Sequence, residues 1–409
     1  MQKLFTERAH LMCPHMCFGI VMSVDRPYDE AAVRRSADRL SAAHPFLKAL
    51  LGYEEKQNAY DYRETDCSQI GLLLKEREIA GIDSADVMDM YRQLTGRDWN
   101  LFEEGMLKIA AWKMGGQTCF LLVFHHLLAD GRGALGLSEE LADDYRSGIP
   151  PKPAPEKLIS SKEDFPAGSR MPLISRILVS RANRIWAKEQ QKVSYRAYHT
   201  FANAFLRNDA VCHDLSRILP EELDGIRQKC HEDRVTVNDY LLARMMIEDA
   251  TRKVIIAHDL RDRFGFYKEG ALGNYSTAFS VEVRESEIKK AKDPYMLARE
   301  VHEQVRKKMD RPSDLYLVLQ CYAELDPGLI DAAFISCRGG FPSRSGRFIG
   351  SMFFGFENAD GYSMTNLGKI ESGSISSAYF IPPASPAIRK TSGILTVNDV
   401  LTVCTSERK

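Results

Sequence analysis

The feature that most constrains this chain is an apolar run, Phe120-Leu121-Leu122-Val123-Phe124, leading straight into His125-His126-Leu127-Leu128-Ala129-Asp130-Gly131. The run reads as a buried strand, and Asp130-Gly131 supplies a tight turn before the next helix. Neighbouring strand residues point to opposite faces, so only one of the two histidines can face a given cavity. An imidazole at a buried strand end is held near or below its free pKa of about 6.5, neutral at pH 7 and able to take a proton from a hydroxyl or amine. A nearby Asp can orient the ring or anchor the turn. Three readings stand side by side at this point: two satisfied structural histidines, a metal site, and a general base. The metal reading is the weakest. His126 and Asp130 are four apart, which suits metal on a helix, yet they flank a strand-to-turn junction with no obvious third ligand.

The chain has 409 residues, above the usual size of a single hydrophobic core, so two domains are expected. The composition changes between Gly148 and Pro172, where six prolines (150, 151, 153, 155, 166 and 172) mark a boundary. The expected division is a first subdomain over 1–155 that carries the two histidines, a linker and crossover helix over 156–200, and a second subdomain over 201–409.

Within the first half, Phe18–Val24 reads as a strand and the positions Ala31, Val33, Ala37 and Leu40 as a helix entered at Asp29. Leu107–Trp112 and Cys119–Phe124 form a hairpin about Gly115-Gly116, and Leu135–Tyr145 is a helix stopped by Gly148 and Pro150. Leu173–Arg196 is amphipathic and basic, carrying Arg176, Arg181, Arg184, Lys188 and Lys192. We read it as a helix that packs one face on the protein and solvates the other, in preference to a membrane-surface helix. Later segments read as helices (Glu221–Cys230, Thr236–Arg252, Pro294–Lys308) or as strands (Val254–Leu260, Asn274–Val283, Arg347–Phe354, Ile375–Ile381, Gly393–Val403). Both halves mix strands and helices without a strict βαβ rhythm. The fold class is therefore α/β in the α+β sense, not a doubly wound sheet. No Gly-rich phosphate loop follows a strand, and no fixed-period repeat is present.

Lys and Arg (55) nearly balance Asp and Glu (56), for a formal charge of -1, so nothing draws the chain globally to nucleic acid. No stretch approaches the ~20 apolar residues of a membrane span, and Met1–His10 lacks an apolar signal core. Nine scattered cysteines fit reduced thiols in a cytoplasmic protein, without the paired spacing of a zinc site. His213, His231, His258 and His302 lie among charged neighbours and read as surface or loop residues. Asp262 and Arg263 read as a solvated turn, and Met16 and Met22 as core packing.

His125 to Gly131 fit the HHxxxDG motif of the chloramphenicol acetyltransferase-like superfamily, and the chain resembles that superfamily elsewhere and in the same order. The superfamily includes peptide-synthetase condensation domains, wax ester synthases, alcohol acetyltransferases and polyketide-associated acyltransferases. Pro27–Val33 followed by Ser41–Leu47 resembles their early helix and "RHPxLR"-like segment. Val235–Ala243 is similar to "VTVNDxLLA", Asp259-Leu260-Arg261 with Leu272–Tyr275 to "DLR…GN", and Thr365–Gly368 to the late "NLG". The resemblance spans roughly 15 to 400.

What it implies is two similar α/β-sandwich subdomains with an active-site tunnel between them. His126 would be the base that removes the acceptor's proton as it attacks a thioester, and Asp130 would be structural, with Arg261 as its candidate partner. His125 would serve the motif's architecture, while Gly131 would leave room for the turn and for a pantetheine arm. Ser363, Thr365 and Asn366 are candidates for the oxyanion donors or the tunnel wall. No metal or resident cofactor is implied. The donor substrate would be acyl-CoA or a phosphopantetheinyl thioester, the acceptor a small molecule, and an acyl or peptidyl carrier protein a possible partner.

Departures from the pattern narrow this. Ala43 and Lys48 stand where condensation domains tend to have arginines. Ser363–Gly368 lacks a tyrosine expected of peptide-forming members, and the plant "DFGWG" run is missing, although Phe354-Gly355-Phe356 has similar aromatic spacing. The expectation is a stand-alone acyltransferase acting on an alcohol or amine in natural-product or lipid biosynthesis. A catalytically silent scaffold that binds a carrier protein is the alternative, and a metal-dependent hydrolase on the same residues a third.

Overall fold

The computed structural model describes residues 2–409. Two mixed sheets carry the molecule. The five-stranded sheet runs, edge to edge, Ile375–Ile381, Cys17–Val24, Gln117–His125, Leu107–Met114 and Gly71–Glu78. The six-stranded sheet runs Ser276–Glu282, Lys253–Asp259, Gly361–Ile370, Ile388–Val397, Val400–Arg408 and Val211–Ile218. A small third sheet joins Gln2–Lys3, Ala59–Glu64 and Ala49–Glu54.

Gln117–His125 is the centre of the first sheet and is buried on both faces, which is why its sequence reads as a continuous apolar run and not an alternating one. It pairs antiparallel with Leu107–Met114 through the turn at Gly115-Gly116, in the expected hairpin. On its other side Cys17–Val24 brings Cys17 opposite His125 and Phe18 opposite Phe124. The edge strand Ile375–Ile381 comes from the second half of the chain, and it pairs with Cys17–Val24 from Ile375 opposite Val24 to Ile381 opposite Gly19. One half thus completes the sheet of the other, and the apolar side chains of this loaned strand are buried in the first core.

Several local expectations change in the folded chain. Arg347–Phe354 is not a strand. Arg344–Met352 is a helix, N-capped by Ser343, whose hydroxyl accepts from the Gly346 amide at 2.8 Å. A side chain at Gly350 would collide with the Ala333 carbonyl, so this helix presses its backbone against Pro327–Arg338. Its glycines serve a close helix–helix approach. Gly393–Val403 is two strands, Ile388–Val397 and Val400–Arg408, turning at Asn398-Asp399 in left-handed backbone.

The basic segment after the proline-rich stretch is a helix over Leu173–Glu189, followed by a separate helix over Tyr195–Asn208. Val179, Ala182 and Trp186 face inward, as expected of a packed face. The outward face is not a simple solvated one, because Leu173 and Ile174 are 63% and 74% exposed. No helix among the described residues is long and apolar enough to cross a membrane. All nine cysteines are unpaired, and Met16 and Met22 are buried in the core.

Candidate active site

Where the central strand of the first sheet ends, the two histidines part. His125 is buried on the side of Trp99, with ring centroids 6.2 Å apart, and its Nδ1 accepts from the Leu127 amide at 3.2 Å. Burial first, then the neighbouring His126, lowers its pKa to about 3, so it is a neutral packing residue. His126 points the other way. Its amide donates to the Met16 carbonyl at 2.8 Å, and its ring packs edge-on to Phe18 at 5.4 Å.

Asn274 fixes the state of the His126 ring. Its Nδ2 donates to the His126 carbonyl at 2.8 Å, which leaves its Oδ1 as the atom 2.7 Å from His126 Nδ1. A carbonyl oxygen only accepts, so Nδ1 carries the proton and Nε2 keeps its lone pair. Burial holds the His126 pKa below 6.5, opposed by the charge of Asp130 and the bond to Asn274. The ring is therefore neutral at pH 7, with Nε2 basic.

Asp130 is buried and organises the turn. One carboxylate oxygen accepts from Arg261 at 2.5 Å and from the Gly133 amide at 3.0 Å, the latter as N-cap of the helix Gly131–Ser147. The other accepts from the Tyr275 amide at 2.9 Å. Burial pushes its pKa up, but Arg261 and these amides outweigh it and hold the carboxyl below its usual value. Arg261 also pairs with Asp259 at 2.9 Å and lies over the rings of Tyr275 and Tyr267. Gly131 has a steric reason beyond the turn: a Cβ there would come 2.5 Å from Leu367 Cδ2. That close approach brings the late strand of the second sheet against the first half.

Between the halves lies a cavity of 560 Å³. His126, Asp130, Gly131 and Arg132 line it from one side, and Asn238, Arg261, Thr365 and Asn366 from the other. The three candidates from the late strand separate here. Thr365 and Asn366 line the cavity, with the Asn366 amide bonded to Asn238 Oδ1 at 3.2 Å and its carbonyl to the Gly368 amide at 2.8 Å. Ser363 is outside the cavity lining and donates to Thr391 at 3.0 Å. Ser363 and Thr365 are two positions apart and share a face of the strand, so what separates them is position along it: Ser363 lies opposite Thr391 and Thr365 opposite Gly393.

Other histidines were misplaced by sequence reading. His258 lines the cavity, and His213 and His302 are half-buried and bonded, to Ser406 at 3.0 Å and Asp239 at 2.9 Å. Only His231 is exposed among those four, since charged neighbours in sequence alternate away from an inward-facing strand or helix residue. Asp262 and Arg263 are exposed, as expected.

Two participants were not foreseen. Asn274 reads in the sequence as a strand start and as part of a motif, and neither assigns it to the His126 ring. His10 was missed entirely. Its ring stacks on that of His126 with centroids 4.4 Å apart and planes 16° apart. It belongs to the short 3₁₀ turn Thr6–His10, whose Arg8 meets buried Asp331 at 2.5 Å. Beyond His10 the aromatic wall continues through Tyr322, Phe354 and Phe356. Nothing in Met1–His10 signals this, because the contact spans over one hundred residues of chain. Among the described residues, no group of three or more His, Cys, Asp or Glu side chains is placed to hold a metal ion.

No protein-family model matches the sequence, and no curated protein matches it. Solved structures do. The epimerization domain from the third module of tyrocidine synthetase B superposes with a TM-score of 0.58 at 14% identity, over 96% of this chain and 86% of that one. The condensation domain of the monacolin K polyketide synthase gives 0.58 at 11% identity, over 100% and 91%. Polyketide synthase associated protein 5 from Mycobacterium tuberculosis gives 0.57 at 13% identity, over 100% and 92%. At such identities the likeness concerns architecture, and it extends over nearly the whole length of both chains. The chain shares the two-subdomain fold of these condensation and epimerization domains.

Proposed function

We propose that this protein is an acyltransferase that moves an acyl group from a CoA or carrier-protein thioester to a hydroxyl or amine acceptor, with His126 as general base. The observation that carries the reading is the tautomer lock: Asn274 accepts from Nδ1, so a neutral imidazole offers Nε2 at a cavity shared by both halves. Nε2 takes the acceptor's proton as its oxygen or nitrogen bonds to the thioester carbonyl carbon. Negative charge collects on the carbonyl oxygen. When that oxygen re-forms its double bond, the carbon–sulfur bond breaks, and the thiolate takes the proton back from His126.

The brief imidazolium is favoured by the Asn274 carbonyl and by the charge of Asp130. Thr365 is the better candidate for the oxyanion, because the Asn366 amide is already bonded at both ends. Asp130 and Arg261 hold the turn and do not exchange protons with substrate. The thioester enters as substrate, in a cytoplasmic setting, and the chemistry of these residues calls for no resident cofactor.

The test is thiol release from a panel of acyl-CoAs and acyl carriers, each offered alcohols and amines. His126→Ala is expected to lower turnover by ~10²–10⁴ with unchanged melting. Wild-type turnover in that variant would sink the assignment. Carrier binding without thiol release from any donor–acceptor pair would favour a silent scaffold instead.

A further inference from the structure

The outward face of the helix Leu173–Glu189 is unlike the rest of the surface. At ~100° per residue, the aliphatics Leu173, Ile174, Ile177 and Ile185 share about 120° of arc with the cations Arg181, Arg184 and Lys188. The buried residues Val179, Ala182 and Trp186 occupy the opposite side. Leu173, Ile174 and Ile177 are 63%, 74% and 55% exposed, although nothing in a water-facing helix requires three adjacent large aliphatics.

The charge on this face is also one-signed. Neighbouring Lys162 and Lys192 pair with Glu324 at 2.8 Å and Glu55 at 3.8 Å, whereas Arg181, Arg184 and Lys188 have no carboxylate partner among the described residues. The helix has one acidic residue, Glu189, and its carboxylate is turned inward onto Ser343 Oγ at 2.6 Å and the Arg344 and Ser345 amides at 3.0 Å. Beside the helix runs a cleft of 490 Å³ with Arg176 and Arg184 in its wall together with Glu324. The Glu324 carboxylate pairs with Lys162 and its carbonyl accepts from Asn183, so the two arginines are the donors left for phosphate oxygens.

We propose that this helix docks the protein on an anionic phospholipid bilayer, lying in the plane of the interface. The aliphatic side chains enter the boundary between headgroups and acyl chains, while the arginines and Lys188 meet lipid phosphates. The attachment is peripheral and reversible, because a single helix face with three or four aliphatics is a shallow anchor. It is independent of the chemistry proposed for His126.

The experiment is sedimentation of the full chain with phosphatidylcholine vesicles, with and without phosphatidylglycerol. The protein is expected to pellet with the anionic vesicles and to be released as salt screens the charges. Ile174→Glu/Ile177→Glu should abolish pelleting, and Arg181→Gln/Arg184→Gln should weaken it by roughly fivefold per cation removed. Thermal melting of each variant checks that the fold persists, which substitution of exposed side chains should leave unchanged. Failure to pellet with anionic vesicles, or equal pelleting with neutral ones, overturns the proposal. So does a dimer in sedimentation equilibrium that Ile174→Glu/Ile177→Glu dissolves, since a second copy would then be what covers the face.

Discussion

Two buried arginine–aspartate clasps join the halves of this molecule near the stacked imidazoles, and they behave oppositely. Arg261 meets Asp130 and Arg8 meets Asp331, each at 2.5 Å. Asp130 also accepts two backbone amides, and its pKa is lowered although burial works against it. Asp331 is as deeply buried, but burial outweighs the pull of Arg8 and its pKa is raised. The first clasp is built into secondary structure, as a helix cap and a strand anchor. The second is an ion pair that positions the turn carrying His10. Arg8 grips both oxygens of Asp331 and also donates to the Asn58 carbonyl, but no backbone amide among the described residues bonds Asp331. Asp130 adds two backbone amides to its arginine, and that is the difference between them.

The largest effect should come from breaking the first clasp on one side. Asp130→Ala leaves buried Arg261 with Asp259 alone and the Gly133 and Tyr275 amides without partners, at a cost of roughly 3–5 kcal/mol in urea unfolding. Activity should fall with it, since the same turn carries His126. Unchanged stability with unchanged activity would remove Asp130 from its anchoring role.

Replacing both partners sharpens the contrast. Arg8→Met/Asp331→Leu should be neutral or stabilising by about 1–4 kcal/mol, as is common when both members of a buried pair are replaced by apolar residues. Arg261→Met/Asp130→Leu should still lose about 2–3 kcal/mol, because two amides remain unsatisfied whatever fills the space. Equal outcomes for the two double variants would erase the distinction.

The clasps should also separate on acidification. Asp130 has a lowered folded pKa, so its stabilisation is complete above the unfolded value of 3.8 and is lost as pH falls through the lower folded value. Asp331 has a raised one, so its contribution is present below 3.8 and is lost as pH rises through the folded value. In urea unfolding from pH 7 to pH 3, the advantage of Arg8→Met/Asp331→Leu over wild type should shrink towards pH 3. The deficit of Arg261→Met/Asp130→Leu should persist below pH 3.8 and shrink only as pH falls through the lower folded value.

The smallest expected effect concerns what the second clasp positions. His10→Leu removes a stacked ring from His126 and should lower kcat by roughly 2–10-fold, the rate equivalent of an aromatic pair worth ~0.5–1.5 kcal/mol. His10→Phe should restore most of the loss if stacking is the reason. No restoration would mean that His10 acts through its nitrogens.

The run from Phe120 to Gly131 determined a good deal by itself. It specified a buried strand, a turn and a helix start, because each depends on neighbours within a few residues: apolar side chains on both faces, an Asp that caps, a Gly that opens the helix. Alternation along the strand also implied that His125 and His126 would face different surroundings. The resemblance of spaced motifs indicated the overall architecture, and it singled out Arg261 as the partner of Asp130.

Only the tertiary structure decided which groups surround His126. Asn274 and His10 lie 148 and 116 positions away in sequence, and no local pattern records a contact made by closing such loops. The same holds for Ile375–Ile381, whose apolar residues suit either sheet and which joins the first one by register with Cys17–Val24. Ser363 and Thr365 were equivalent as sequence, and the pairing of their strand put one against Thr391 and the other at the cavity. Arg347–Phe354 became a helix because a partner helix accepts its glycines at close range, a fact held by the partner. Sequence fixes what short-range sterics and hydrogen bonds can fix, whereas the tautomer of the proposed base depends on a hydrogen bond across the molecule.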